Sequence, residues 1–199
     1  MRTAFFDVDT QLDFLYPAGA LYVPGAELIV PNVSRMNRYA AANGIPLISD
    51  TDAHAENDPE FLQWPPHCVS GTLGQLKPQS TLLERRTVVS AKALLNAWPE
   101  GIQQILLEKQ TLDAFSNPGL PAFLDTLDVD RFVVYGVVTE ICVKLAAWGL
   151  LKTGKRVELV TDAVRHLNEK EAAQTLKEFE AAGGVLLTST GVLAIEQTS

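Results

Sequence analysis

The chain has 199 residues, 47% of them hydrophobic and 20% charged, a globular balance long enough to bury a core without disulfide or metal staples. Its net charge of −8 and its scattered Lys and Arg residues exclude a nucleic-acid backbone as partner, since that needs clustered cations. No apolar stretch reaches the length of a membrane span, and Asp7 and Asp9 interrupt the N-terminal apolar run too early for a secretory signal. The expectation is a soluble cytoplasmic protein, a single domain over 1–199, with free thiols at Cys68 and Cys142.

In chain order, the run Thr-Ala-Phe-Phe-Asp-Val at 3–8 predicts a buried strand that ends in acids. After a loop rich in Gly and Pro, the spacing of Leu28, Val30, Val33, Met36 and Ala40 predicts a helix over 26–42, closed by Asn43-Gly44. A second strand follows at 46–50. Residues 52–82 are rich in Pro, Gly, His and acids with weak periodicity, which reads as a functional loop excursion rather than packed core.

Strands are then expected at 87–90 and 105–107, and a helix over 118–127 opened by Asn117-Pro118. Residues 131–138 (RFVVYGVV) form the strongest strand of the chain and run straight into a helix over 141–152. A strand at 157–160, a helix over 169–182 closed by Gly183-Gly184, and a last strand at 185–188 complete the pattern. Apolar strands alternating with helices imply a mostly parallel, Rossmann-like sheet covered on both faces, a three-layer α/β/α sandwich. In such sheets the site lies at the carboxyl ends of the strands.

The residues just past each strand are therefore informative. The first strand delivers Asp9, the second Asp52 and His54, the strand near 106 Lys109, and the strongest one Cys142 at the opening of a helix. Alone, a cysteine there is most often a small buried hydrophobe and a D-x-H pair a solvated turn. Acid, imidazole, amine and thiol converging on one edge argue for chemistry instead. An ammonium about 4 Å from the sulfur contributes roughly 4 kcal/mol at moderate dielectric, which predicts a thiol shifted below neutrality. Asp9 is then the partner of Lys109 and the acceptor of the thiol proton.

Asp52 and His54 alternate on an extended segment, so both face one side. His67 follows Trp64-Pro65-Pro66, whose prolines stiffen the backbone, and Glu60 falls between. Two imidazoles with one or two carboxylates suit a divalent zinc, manganese or iron ion.

These residues carry a resemblance. The run from Phe5 to Phe14, containing Asp9-Thr10-Gln11-Leu12-Asp13-Phe14, resembles the opening D-x-Q-x-D-F of the isochorismatase-like cysteine hydrolases, and Trp64-Pro65-Pro66-His67-Cys68 the W-P-x-H-C of their nicotinamidase (pyrazinamidase) branch. Gly136 to Val143 resembles the family's nucleophile turn. The resemblance spans Thr3 to about Ser189.

It implies Cys142 as nucleophile, Asp9 as general base and Lys109 as the cation between them. It implies a cis peptide at Val137–Val138 and an oxyanion hole made by the N–H groups of Val138 and Cys142. It carries over Asp52, His54 and His67 as ligands of one divalent metal, zinc foremost, with Glu60 where many members have a third histidine. Phe14 and Trp64 match substrate-wall positions. The segment after Lys109 departs from the nicotinamidase pattern, and Phe115 is expected in the wall there.

The implied activity is hydrolysis of nicotinamide to nicotinate and ammonia through a thioester. The alternatives are a sibling hydrolase acting on another small amide or carbamoyl compound, and a non-catalytic binder of small aromatics. The implied partner is a small aromatic amide, with neither nucleic acid nor membrane, and family members commonly form homo-oligomers. Cys68 reads as a structural thiol, His166 as a surface or capping residue, Lys92 as part of a helix and Trp148 as core. Asp162 reads as a hydrogen-bonding brace, and Glu140 as a contact to substrate or solvent.

Overall fold

In the computed structural model, which describes residues 1–196, seven strands form one parallel sheet. They are β1 (Thr3–Val8), β2 (Leu47–Asp52), β3 (Arg86–Val89), β4 (Gln104–Lys109), β5 (Arg131–Val137), β6 (Arg156–Arg165) and β7 (Val185–Leu187), in the order β3-β4-β2-β1-β5-β6-β7. From β1 the chain steps to β2, goes out to the edge strand β3 and returns to β4, then crosses to β5 on the other side of β1, so β1 and β5 flank the point where strand order reverses. That is where open parallel sheets leave a crevice at their carboxyl edge. The last three residues of the expected 1–199 domain lie outside the described residues.

The helices are α1 (Leu12–Leu15), α2 (Val30–Ala42), α3 (Leu120–Thr126), α4 (Lys144–Leu151), α5 (Glu169–Ala181) and α6 (Ser189–Glu196). Alternation along the strands divides the core in two. Ala4, Phe6, Val8, Phe132 and Val134 pack with α3, α4 and Phe179 of α5. Phe5, Val133, Tyr135 and Val137 pack with α2, α1 and Val192 of α6 on the other face. Burying a large apolar side chain such as Phe5, Phe6 or Met36 stabilises the fold by roughly 1.5–3 kcal/mol each. The result is the three-layer α/β arrangement expected, with a fully parallel sheet.

The differences from expectation have local causes. The helix expected over 26–42 is a 3-10 turn (Ala26–Ile29) followed by α2, because Pro31 lacks an N–H and fits only a first turn. The helix expected over 141–152 begins as a π-helical turn, Thr139–Val143, before α4. Lys92 lies in a turn rather than a helix, and the short α1 and α6 were not expected.

The excursion at 52–82 is not wholly outside the core. Cys68 is fully buried, His54 bridges to Val69, and the buried Lys77 reaches Thr10 and Asp7 at 2.9 and 3.3 Å.

Gly136 shapes the centre of the sheet. Its φ is 126°, and a Cβ at that position would fall on the main chain of Val8, so only glycine lets β5 press against β1 one residue before Asp9.

Candidate active site

The end of β1 turns sharply. Asp9 has φ 47°, a left-handed conformation rare for a non-glycine residue, and its N–H donates to Asp50 Oδ1 at 2.9 Å. The turn points the Asp9 carboxylate at the ammonium of Lys109, which ends β4: Oδ2 to Nζ is 2.9 Å. Lys109 Nζ also lies 2.5 Å from Asp52 Oδ1 and donates to Thr111 O at 3.1 Å. All three charged side chains are buried.

Burial pulls the Lys109 ammonium down, but Asp52 and Asp9 more than reverse this and hold it well above the ordinary lysine range. Burial also raises Asp9, helped by Asp52 and opposed by Lys109. It raises Asp50 strongly, with the Asp9 charge adding.

Cys142 is buried in the π-helical turn after β5, beside the cis peptide Val137–Val138. Its thiol is not lowered as expected. Burial pushes it well above the ordinary range; Lys109 pulls it back, but Asp9, Asp52 and Asp50 push it up again. The ammonium is occupied by two carboxylates, so it cannot serve the sulfur alone.

The second group adjoins the first through Asp52. Gln11 pins the Asp52 main chain: its Oε1 accepts from Asp52 N at 2.7 Å and its Nε2 donates to Asp52 O at 2.8 Å. With Oδ1 on Lys109, Asp52 Oδ2 faces the imidazoles, 3.7 Å from His54 Nε2 and 3.8 Å from His67 Nε2. Asp52, His54 and His67 each offer one donor atom within 4.8 Å of the others. Glu60 Oε1 lies 3.9 Å from both Nε2 atoms.

These separations are too long for hydrogen bonds, and His54 Nε2 and Glu60 Oε1 are buried with no hydrogen-bond partner. Orphaned nitrogen and oxygen donors converging around a gap fit one divalent cation. His67 Nδ1 lies 2.7 Å from Pro65 O, which leaves its Nε2 free to ligate. With no ion bound, His54 is drawn down by burial but raised by Asp52, Asp58 and Glu60 to about 9. Asp52 goes the other way: burial alone would raise it, and Lys109 with the two imidazoles holds it well below the usual carboxylate range.

A small pocket opens beside both groups. Phe14, Trp64, Leu112, Val138, Ile141 and Leu167 supply much of its apolar wall, and Cys142, Asp52, Glu60 and His67 its polar side. Among the described residues no Lys or Arg lines it. Phe14 also packs against His67 with the rings tilted at 58° and their centroids 5.3 Å apart.

Phe115 is not in the wall. The 3-10 turn Ala114–Ser116, capped by Asp113, rotates it away onto Gly149 of α4, where a Cβ would run into its ring, and Leu112 lines the pocket instead.

The remaining residues have structural places. Cys68 is buried, and burial pushes its thiol far up. Glu140 Oε1 accepts from the N–H groups of Leu167 and Asn168, tying the π-helical turn to the start of α5. Asp162 braces α6 through Ser189 N and Oγ at 2.6 and 2.7 Å, away from the pocket. Asn168, not His166, caps α5. Trp148 is half-buried against Phe179. Sequence reasoning missed the roles of Gln11 and Asp50. Each is a buried polar residue near a strand end, a signal that points to a bracing role without naming the partner.

The isochorismatase domain profile matches residues 3–191. The nicotinamidase of Escherichia coli (strain K12) is 27% identical over 209 residues, covering 91% of this chain and 92% of that protein. N-carbamoylsarcosine amidase from an Arthrobacter species is 26% identical over 147 residues, covering 72% and 52%. The pyrazinamidase of Pyrococcus horikoshii, solved in complex with zinc, superposes with a TM-score of 0.77 at 28% identity, covering 94% of this chain and 99% of that one.

Proposed function

The chain belongs to the isochorismatase family, and from that premise we propose that it is a metal-bearing cysteine amidohydrolase that converts nicotinamide to nicotinate and ammonia. The observation that carries the reading is the position of Lys109, whose buried ammonium joins Asp9, on the thiol side, to Asp52, on the metal side, behind an apolar pocket that Asp52 and Cys142 both line.

In this reading Asp9 takes the proton of Cys142 as the sulfur attacks the carboxamide carbon. The C–S bond forms, and the carbonyl oxygen gains a negative charge received by the N–H groups of Val138 and Cys142. Asp9 passes the proton to the nitrogen as the C–N bond breaks, releasing ammonia. Water then attacks the thioester; a C–O bond forms, the C–S bond breaks, and the thiol is restored. Lys109 holds Asp9 in place and keeps the local charge balanced.

Asp52, His54, His67 and Glu60 hold one divalent ion, zinc by analogy with the pyrazinamidase. When bound, the ion supplies a Lewis-acidic anchor for the substrate's ring nitrogen. Phe14, Trp64 and Leu112 wall the ring.

A thiol raised by burial is consistent with proton transfer coupled to attack rather than a standing thiolate. It keeps the nucleophile neutral until substrate enters.

The similarity to N-carbamoylsarcosine amidase motivates a second reading, a carbamoyl-compound hydrolase. N-carbamoylsarcosine carries a carboxylate, however, and among the described residues no Lys or Arg lines the pocket to receive it. The test is ammonia release by the zinc-loaded protein from nicotinamide, pyrazinamide and N-carbamoylsarcosine in parallel. Turnover of the first two supports the proposal; turnover of only the third replaces it with the second reading. Full activity in Cys142→Ala would sink both.

A further inference from the structure

The loop that carries the metal-ligating candidates holds one more carboxylate, which the proposed chemistry does not use. Asp58 precedes Pro59, which disfavours helical backbone before it, and its φ and ψ are −60° and 133°. Its side chain is 9% exposed, and its two oxygens serve different neighbours. Oδ1 accepts from Glu60 N at 2.9 Å and caps the 3-10 turn Pro59–Leu62. Oδ2 lies 3.0 Å from His54 Nδ1, off the line of a full hydrogen bond. One side chain thus stands behind two of the four candidate ligands.

We infer that Asp58 is a positioning residue for the metal centre. It holds the Nδ1 proton of His54, so that Nε2 is the nitrogen turned toward the ion, and it sets where Glu60 stands. His67 provides the comparison within the same loop, since its Nδ1 is held by a main-chain carbonyl. His54 has a charged side chain in that place, and an imidazole backed by a carboxylate is a more basic and better oriented ligand. Capping alone accounts for Oδ1, because Asp is a common cap. It does not account for the second oxygen, which is turned to a buried ring.

The inference rests on the metal-bearing reading of the site, and the test separates the two. Asp58→Ser keeps a capping oxygen for Glu60 N and removes the group that reaches His54. Zinc affinity is measured by competition with a chromophoric chelator, and thermal unfolding of the zinc-free protein checks the fold. The expected result is zinc binding weakened about 10–100-fold with the zinc-free fold intact. Affinity indistinguishable from wild type overturns the inference and leaves the proposed function standing. A wild type that takes up no zinc overturns both.

The nitrogen chemical shifts of His54 in the zinc-loaded wild type give a readout that needs no variant. A protonated Nδ1 with zinc on Nε2 is expected; zinc on Nδ1 overturns the inference.

Discussion

Asp52 and Lys109 meet at 2.5 Å through one carboxylate oxygen, while the other oxygen of Asp52 faces the imidazoles of His54 and His67. The same negative charge therefore serves an ammonium and a candidate metal site. A cation added on one side draws on the carboxylate that the ammonium uses on the other, and both act on the sulfur of Cys142.

Thiol reactivity should follow metal content. Asp52 is among the charges that push the Cys142 thiol up, and a divalent ion beside it offsets that push. Alkylation of Cys142 by iodoacetamide at pH 7, followed by mass spectrometry, should be several-fold faster in zinc-loaded than in chelator-stripped protein, since each pKa unit is worth roughly tenfold in thiolate. Equal rates would contradict the coupling.

Asp9 and Lys109 should fail differently. Asp9→Asn removes the proton acceptor and should lower kcat by about 10²–10⁴-fold, with nicotinamide binding by calorimetry largely kept. Lys109→Ala leaves Asp9 and Asp52 buried without their cation and should cost about 3–5 kcal/mol of stability in urea unfolding, besides activity.

Zinc uptake should release protons. In the ion-free protein His54 is held at about 9, so below that pH its imidazole is charged and must lose a proton to ligate. Apparent affinity should rise with pH up to about 9, and calorimetry in buffers of different ionisation enthalpy should count the protons released. The effect on folding has the opposite sign. A histidine raised from its ordinary 6.5 stabilises the ion-free protein fully below 6.5 and loses that contribution as pH rises through about 9. Thermal midpoints of the stripped protein should fall across that window through this group.

Gln11→Ala should weaken the fold and the metal centre together. The substitution leaves the buried N–H and C=O of Asp52 without their side-chain partner, a loss of about 1–3 kcal/mol in urea unfolding. Zinc affinity should fall as well, because the ligand's main chain is no longer clamped.

The sheet was legible because β1 and β5 are apolar nearly throughout, the mark of strands covered on both faces. Asp9, Asp52, His54, Lys109 and Cys142 were legible as a group because each ends or follows a strand, and parallel strands deliver their ends to one edge. Phe115 was misread because its direction depends on the rotation of a single 3-10 turn, which spacing does not encode. The direction of the thiol shift was misread because burial of the sulfur was left out and Asp9 was taken as the only carboxylate on Lys109. The partition of its charge between Asp9 and Asp52 is visible only in three dimensions. Helix α6 is short, and Gly191 obscures its pattern.

The two halves of the site differ in how much of the chain they need. The candidate ligands all come from residues 52–67, a local segment, whereas Asp9, Lys109 and Cys142 meet only when β1, β4 and β5 have all joined the sheet. The ligand segment is nonetheless clamped by the finished sheet, through Gln11 just past β1 and Lys109 at the end of β4. Damage that loosens β1 or β4 should therefore abolish turnover and weaken zinc retention with it.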